Sequence, residues 1–238
     1  MIQLELKKLK RRKIFATLFL VCFISAIIQY IMGNMTYHGV KYGEDVGWFL
    51  KNGLTINSYY LFIPIFTLTG MELFLAEERN HTYNNILTTS VNKIKLIKAK
   101  ISLMFIISIS YSVMTLLLMI LMEIKLNYYS FSLELCGQYL ARYLIHGLIS
   151  CIISATIVSM MLYYKQSLQT AVTVGFILSF IGVFISQLDM AYLYLVNGMF
   201  YLSNSIFSNG LERAISFLMI LPVFALLFCY MSSYSKTY

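Results

Sequence analysis

Charge is scarce in this chain. Only 12% of its 238 residues are Asp, Glu, Lys or Arg, about half the share of a soluble globular domain. That excludes an ordinary water-soluble fold. Proline occurs twice, at Pro64 and Pro222, too rarely for a collagen-like or proline-rich disordered chain. The four cysteines, Cys22, Cys136, Cys151 and Cys229, lie mostly in apolar runs with no C-x-x-C spacing. They read as small core residues rather than bridges or ligands, and no metal site is expected. A phosphate-cradling G-x-x-x-x-G-K-[ST] loop is absent, so the chain offers nucleotide no site of the usual kind. Zinc-knuckle, homeodomain and RNP patterns are absent too. The net charge of +8 therefore points to anionic membrane lipids and not to nucleic acid.

What the chain has in abundance is apolar and aromatic: 59% hydrophobic residues, with 19 Tyr and 17 Phe. A membrane helix needs about 20 mostly apolar residues to cross roughly 30 Å of hydrocarbon. Six stretches meet that length, at 14–32, 59–76, 101–122, 143–164, 168–186 and 215–231. The chain, 1–238, reads as one all-α domain, a polytopic membrane protein with six transmembrane helices. The first run follows Lys7, Lys8, Lys10, Arg11, Arg12 and Lys13. It is longer than a signal-peptide core and lacks an A-x-A cleavage site, so it is read as a retained span. With the N-terminus inside, thirteen Lys and Arg face the cytoplasm and five face outward. The positive-inside rule then makes the chain a multi-pass cell-membrane protein with both termini cytoplasmic.

Three segments interrupt the spans. In 1–13, Ile2, Leu4, Leu6 and Leu9 lie among charges, which fits either an amphipathic helix on the inner leaflet or a solvated basic arm. The segment 76–100 begins polar, then sets Ile86, Leu87, Val91, Ile94 and Ile97 at mostly helical spacing. Acids at its start and lysines toward its end suit a short surface helix through the helix dipole; a loop that only sets topology fits as well. The segment 187–213 holds Tyr192, Tyr194, Phe200, Tyr201 and Phe207, punctuated by Asn-Gly pairs. Two partly inserted outer helices or an interfacial aromatic belt would both read this way.

The segment 76–100 resembles the cytoplasmic loop of permease subunits of type-2 ABC exporters. Those carry an acid–arginine pair, a glycine–threonine pair, two apolar residues and a proline, with basic residues downstream. Here Glu78, Arg79, Thr82, Ile86, Leu87, Lys93 and Lys100 stand in the matching places, while His81 replaces the glycine and Ser90 the proline. The layout of the rest is similar: an N-terminal amphipathic helix, six spans, and short outer helices between spans five and six. The resemblance implies a transport subunit rather than an enzyme. ATP and Mg would be bound by partner ABC ATPase subunits, coupled through Glu77, Glu78, Arg79, Thr82, Ile86, Leu87 and Lys93. It also implies a second permease copy or a related permease as partner. In size and outer-loop layout the chain is similar to the lantibiotic-immunity and bacitracin-resistance permeases, which implies an antimicrobial or other amphipathic peptide as cargo, with a lipid or hydrophobic drug as the alternative.

Individual residues carry competing readings. Small residues recur every four positions in the fourth span, at Gly147, Cys151, Ala155 and Ser159. In the fifth they recur at Ala171, Gly175 and Ser179, with Gly182 following. Such stripes let helices approach closely, within one bundle or at a subunit interface. The resemblance implies the interface reading for the fifth span, since related exporters form much of their subunit contact through spans one and five. Arg142 and His146 share a helix face near the outer end of the fourth span. They read either as part of a substrate path or, for Arg142, as a side chain snorkelling to the interface. Glu72 reads as a partner for Lys98 or Lys100, or as reaching inner-leaflet water. Pro64 is expected to kink the second span. An intramembrane protease is the alternative of another class, but no H-E-x-x-H occurs and no Ser/His or Cys/His pair is expected on one face. A non-transporting scaffold is the remaining one.

Overall fold

Inside hydrocarbon every backbone N–H and C=O must be bonded within the protein, and an isolated apolar run achieves that only as a helix. The computed structural model, which describes Leu6, 13–79 and 93–237, follows this rule. Its helices are α1 (Ile14–Gly33), α2 (Trp48–Ile56), α3 (Phe62–Arg79), α4 (Lys93–Asn127), α5 (Leu133–Tyr163), α6 (Leu168–Ile185), α7 (Leu195–Leu202) and α8 (Gly210–Thr237). Between α2 and α3 the chain passes through a π-helical turn at Asn57–Leu61 without leaving the helix axis, so the two form one span. Among the described residues, six helical segments are long and apolar enough to cross a membrane. The protein is an all-α polytopic membrane protein.

Several bounds differ from the hydropathy reading. The second span begins at Trp48 and the fourth at Leu133, ten or so residues before the apolar runs at 59 and 143. Lys51, Asn52 and Gly53 in one, and Glu134, Gln138 and Arg142 in the other, hide helix that continues beyond the hydrocarbon. At 35 residues, α4 extends about 52 Å, well past the hydrocarbon thickness. Pro64, where a kink is expected, follows closely on the π turn at Asn57–Leu61. A proline ring presses on the carbonyl four residues back, here Tyr60, and the wider turn relieves that clash.

A small hairpin is the one strand pairing among the described residues. Thr36 pairs with Lys41 and Tyr37 with Val40, and the turn residues His38 and Gly39 both take positive φ, 51° and 83°, as a type I′ turn demands. Its side of the bundle is called the hairpin end; the other, where α3 and α4 flank 80–92, is the loop end. In 187–213 a single short α-helix, α7, follows a 3-10 turn at Ala191–Leu193, where two helices were one of the readings. Val196, Met199 and Phe200 bury α7 in the bundle. Of the basic arm 1–13, only Leu6 and Lys13 fall within the described residues; Leu6 packs on the core.

The core lies around α3. Phe62, Ile63, Phe66 and Met71 are fully buried among α4, α5 and α6. The second span is 67% buried, against 22% and 28% for the fifth and sixth, which leaves those two lining the outside. Close approach depends on small residues: a Cβ on Gly147 would stand 2.0 Å from Ser112 Oγ of α4.

Candidate functional site

At the loop end, the backbone of α3 reaches Arg79 and that of α4 starts at Lys93. Glu77, Glu78 and Arg79 therefore form the last turn of one helix and Lys93 the first residue of the next. Thr82, Ile86 and Leu87 lie outside the described residues, as do the side chains of the other four. Just inside this end Lys100 is buried, its Nζ donating to the Leu73 carbonyl at 2.8 Å and lying 5.0 Å from the Phe74 ring. A cation at this depth is tolerated because a backbone oxygen and a ring face replace its water. It ties α4 to α3 two turns before Arg79, beside Glu72.

The hairpin end is polar inside. Glu123 of α4 is fully buried, and its carboxylate accepts from Gly47 N at 2.7 Å, Phe49 N at 3.2 Å and Asn127 Nδ2 at 2.8 Å. The first N–H groups of a helix have no partner within it; Glu123 supplies one to α2 across 74 residues of sequence. Deeper, His146 is fully buried between two hydroxyls, Ser58 Oγ at 2.7 Å from Nδ1 and Ser203 Oγ at 2.9 Å from Nε2. Ser205 Oγ continues the chain at 2.7 Å from Ser203 Oγ. The ring stands edge-on to Phe200, which also stacks on Tyr59.

Ser205, Tyr59 and Phe200 belong to the wall of a cleft of about 250 Å³ at this end. Arg142 and Lys51 line it as well, and among the described residues no carboxylate does. Arg142 is half-buried with its guanidinium 4.8 Å from the Tyr139 ring. Arg142 and His146, predicted together as a path, thus part company: the arginine opens on the cleft and the imidazole is enclosed behind it, joined through Ser203 and Ser205. Glu123, Ser58, Ser203, Lys51 and Tyr139 were not singled out by the sequence. Only Glu123 carried a signal there, as an acid ending an apolar run.

The fifth-span stripe assigned to a subunit interface faces inward instead. Ala171, Gly175, Ser179 and Gly182 are all buried within the chain. A Cβ at Gly175 would meet Thr67 Oγ1 at 3.1 Å, and one at Gly182 would meet Tyr59 at 3.1 Å. These four small residues make room for the second span. The outward face of α6 is bulky, with Phe176, Ile177, Phe180, Ile181 and Phe184 exposed.

A family model described as ABC-2 family transporter protein matches residues 1–186. The chain belongs to the ABC-2 transporter family. The match covers the first five spans and ends at the close of α6. No curated protein and no solved structure matches the chain. As an ABC-2 permease it is a membrane-embedded transport subunit.

The contact of Ser58 with His146 corrects the expectation that no Ser/His pair would share a face; the π turn and the long α5 bring them together. In this ABC-2 permease the pair has neither a carboxylate orienting the imidazole nor an open face for a substrate, since both residues are fully buried and His146 Nε2 is engaged by Ser203. A nucleophile–base pair needs a third group and access. The chain of hydroxyls around His146 instead satisfies polar groups that burial would otherwise penalise.

Proposed function

We propose that the chain is the transmembrane subunit of an ATP-driven exporter that moves an amphipathic, membrane-dissolved cargo, in the first instance an antimicrobial peptide, in self-immunity or resistance. Membership of residues 1–186 in the ABC-2 family carries this reading, together with the absence of a phosphate-binding loop, which leaves ATP and Mg to ABC ATPase partners. The basic-residue asymmetry supports the cytoplasmic membrane as location, with the termini and the loop end facing the cytoplasm. The interior supports an apolar cargo. Among the described residues, Lys100 and Glu123 are the buried charged side chains, and each is held by internal bonds, so no hydrophilic path runs through one copy. The cargo would move along the exposed apolar faces of α1, α6 and α8, between this chain and a second permease. A lipid cargo is the second reading, favoured by the cationic cleft at the hairpin end.

Coupling is assigned to Glu77, Glu78, Arg79, Thr82, Ile86, Leu87 and Lys93. Rigid helices enter and leave this segment at Arg79 and Lys93, which suits the transfer of a push from an ATPase to α3 and α4. Glu78→Lys is the test, because removing one partner of a buried charge pair costs about 2–5 kcal/mol. The variant should insert normally yet lose co-purification with the ATPase and lose export. Retention of both would refute the coupling assignment. For cargo, cells carrying the wild-type pair should survive lantibiotics or bacitracin better than cells carrying Glu78→Lys. Equal sensitivity across that panel, with both proteins in the membrane, would eliminate the peptide reading.

A further inference from the structure

We propose that the cleft at the hairpin end is a binding site for the phosphate group of an anionic amphiphile, held between Lys51 of α2 and Arg142 of α5. The proposal rests on the cleft alone and stands or falls independently of export.

Two cations from different helices line one cleft with no Asp or Glu among the described residues of its wall. Arg142 lies nine residues into α5, about 13 Å along the helix, and is half-buried in the cleft wall. The Tyr139 ring, 4.8 Å away, holds the guanidinium in place without cancelling its charge. A planar guanidinium matches phosphate oxygens, and the Lys51 ammonium lining the same cleft adds a second positive charge. Ser205 lines the cleft as well. The rest of the lining includes Phe200 and the exposed Ile206, a surface suited to the first part of an acyl chain. The volume, about 250 Å³, is below the roughly 300–1,000 Å³ of drug-sized sites. It accommodates a head group rather than a peptide, and its charge repels a cationic one.

The test is calorimetric titration of the full chain in a neutral detergent with dihexanoyl phosphatidic acid, inorganic pyrophosphate and dihexanoyl phosphatidylcholine. Saturable binding of phosphatidic acid is expected, weakened about tenfold or more by Lys51→Gln and by Arg142→Gln. Arg142→Lys should recover part of the affinity, and Lys41→Gln, a cation of the hairpin that does not line the cleft, should leave it unchanged. Pyrophosphate binding as tight as phosphatidic acid would assign the site to free phosphates; silent pyrophosphate would assign it to a lipid. The proposal is overturned if wild type binds neither anion saturably. It is equally overturned if phosphatidylcholine binds as well as phosphatidic acid, or if Lys51→Gln and Arg142→Gln both bind as wild type does.

Discussion

Glu123 sits where a charged side chain is hardest to keep, fully buried near the end of an apolar helix. It persists because every contact it makes is to a donor: two backbone N–H groups at the start of α2 and the Asn127 amide. Charge-assisted bonds of this kind contribute more than neutral ones, and leaving the N–H groups buried without an acceptor adds a penalty. Glu123→Leu is therefore expected to destabilise the detergent-solubilised protein by about 2 kcal/mol, read as a lower apparent melting temperature. Glu123→Gln, which keeps one acceptor oxygen, should lose less. An unchanged melting temperature in Glu123→Leu would mean that α2 does not depend on this cap. Gly47, with φ of 82°, is part of the same arrangement. Its left-handed backbone, which a side chain would strain, aims its N–H at the carboxylate.

Between helices, the deciding contacts are made by small side chains. Lipid gives two apolar helices no hydrophobic reason to associate, so close van der Waals contact and buried hydrogen bonds hold them together. Gly147 of α5 against Ser112 of α4 is the tightest approach, and a Cβ there would also stand 3.1 Å from Ser112 Cβ. Gly147→Ala should destabilise by about 1–3 kcal/mol through overpacking. Ser112→Ala in the same chain should restore part of the loss, because it removes the nearer clash. A double-mutant cycle on thermal stability measures this, and strict additivity of the two changes would exclude the contact. The fifth-span stripe works in the same way toward α3, and it is filled by this chain's own second span rather than by a partner.

For the whole molecule, the central second span and the outlying first, fifth and sixth describe how one copy meets its surroundings. Large apolar side chains such as Phe19, Phe23, Phe184 and Phe228 are exposed on the outside of the bundle. The topology follows from the spans, and their observed bounds change where it should be probed. Asn57 is buried within the second span, so the first connection between spans is the hairpin around Gly39. Reporter fusions after Gly39, Ser130 and Ser208 are expected to signal outside, and fusions after Asn92 and Tyr238 inside. An inside signal at Ser130 would break the six-span arrangement with cytoplasmic termini.

The number of spans and the family were legible in the sequence because both depend on local properties. A run of about 20 apolar residues has one stable form in hydrocarbon, and the residues from Glu78 to Lys100 kept a recognisable pattern at short spacing. The span ends were less legible, since Lys51 in α2 and Arg142 in α5 continue a helix after hydropathy has fallen. The hairpin was hidden in His38-Gly39, two residues whose positive φ matters only once their flanks pair. Which face of the fifth span packs inward was decided by the tertiary structure alone. Small residues at four-residue spacing fit any close neighbour, and Thr67 and Tyr59 supply one from 108 and 123 residues away, measured to Gly175 and Gly182. The same holds for Ser58 with His146 and for Lys51 with Arg142. Their chemistry lies in a distance across the bundle, and linear order carries no record of that distance.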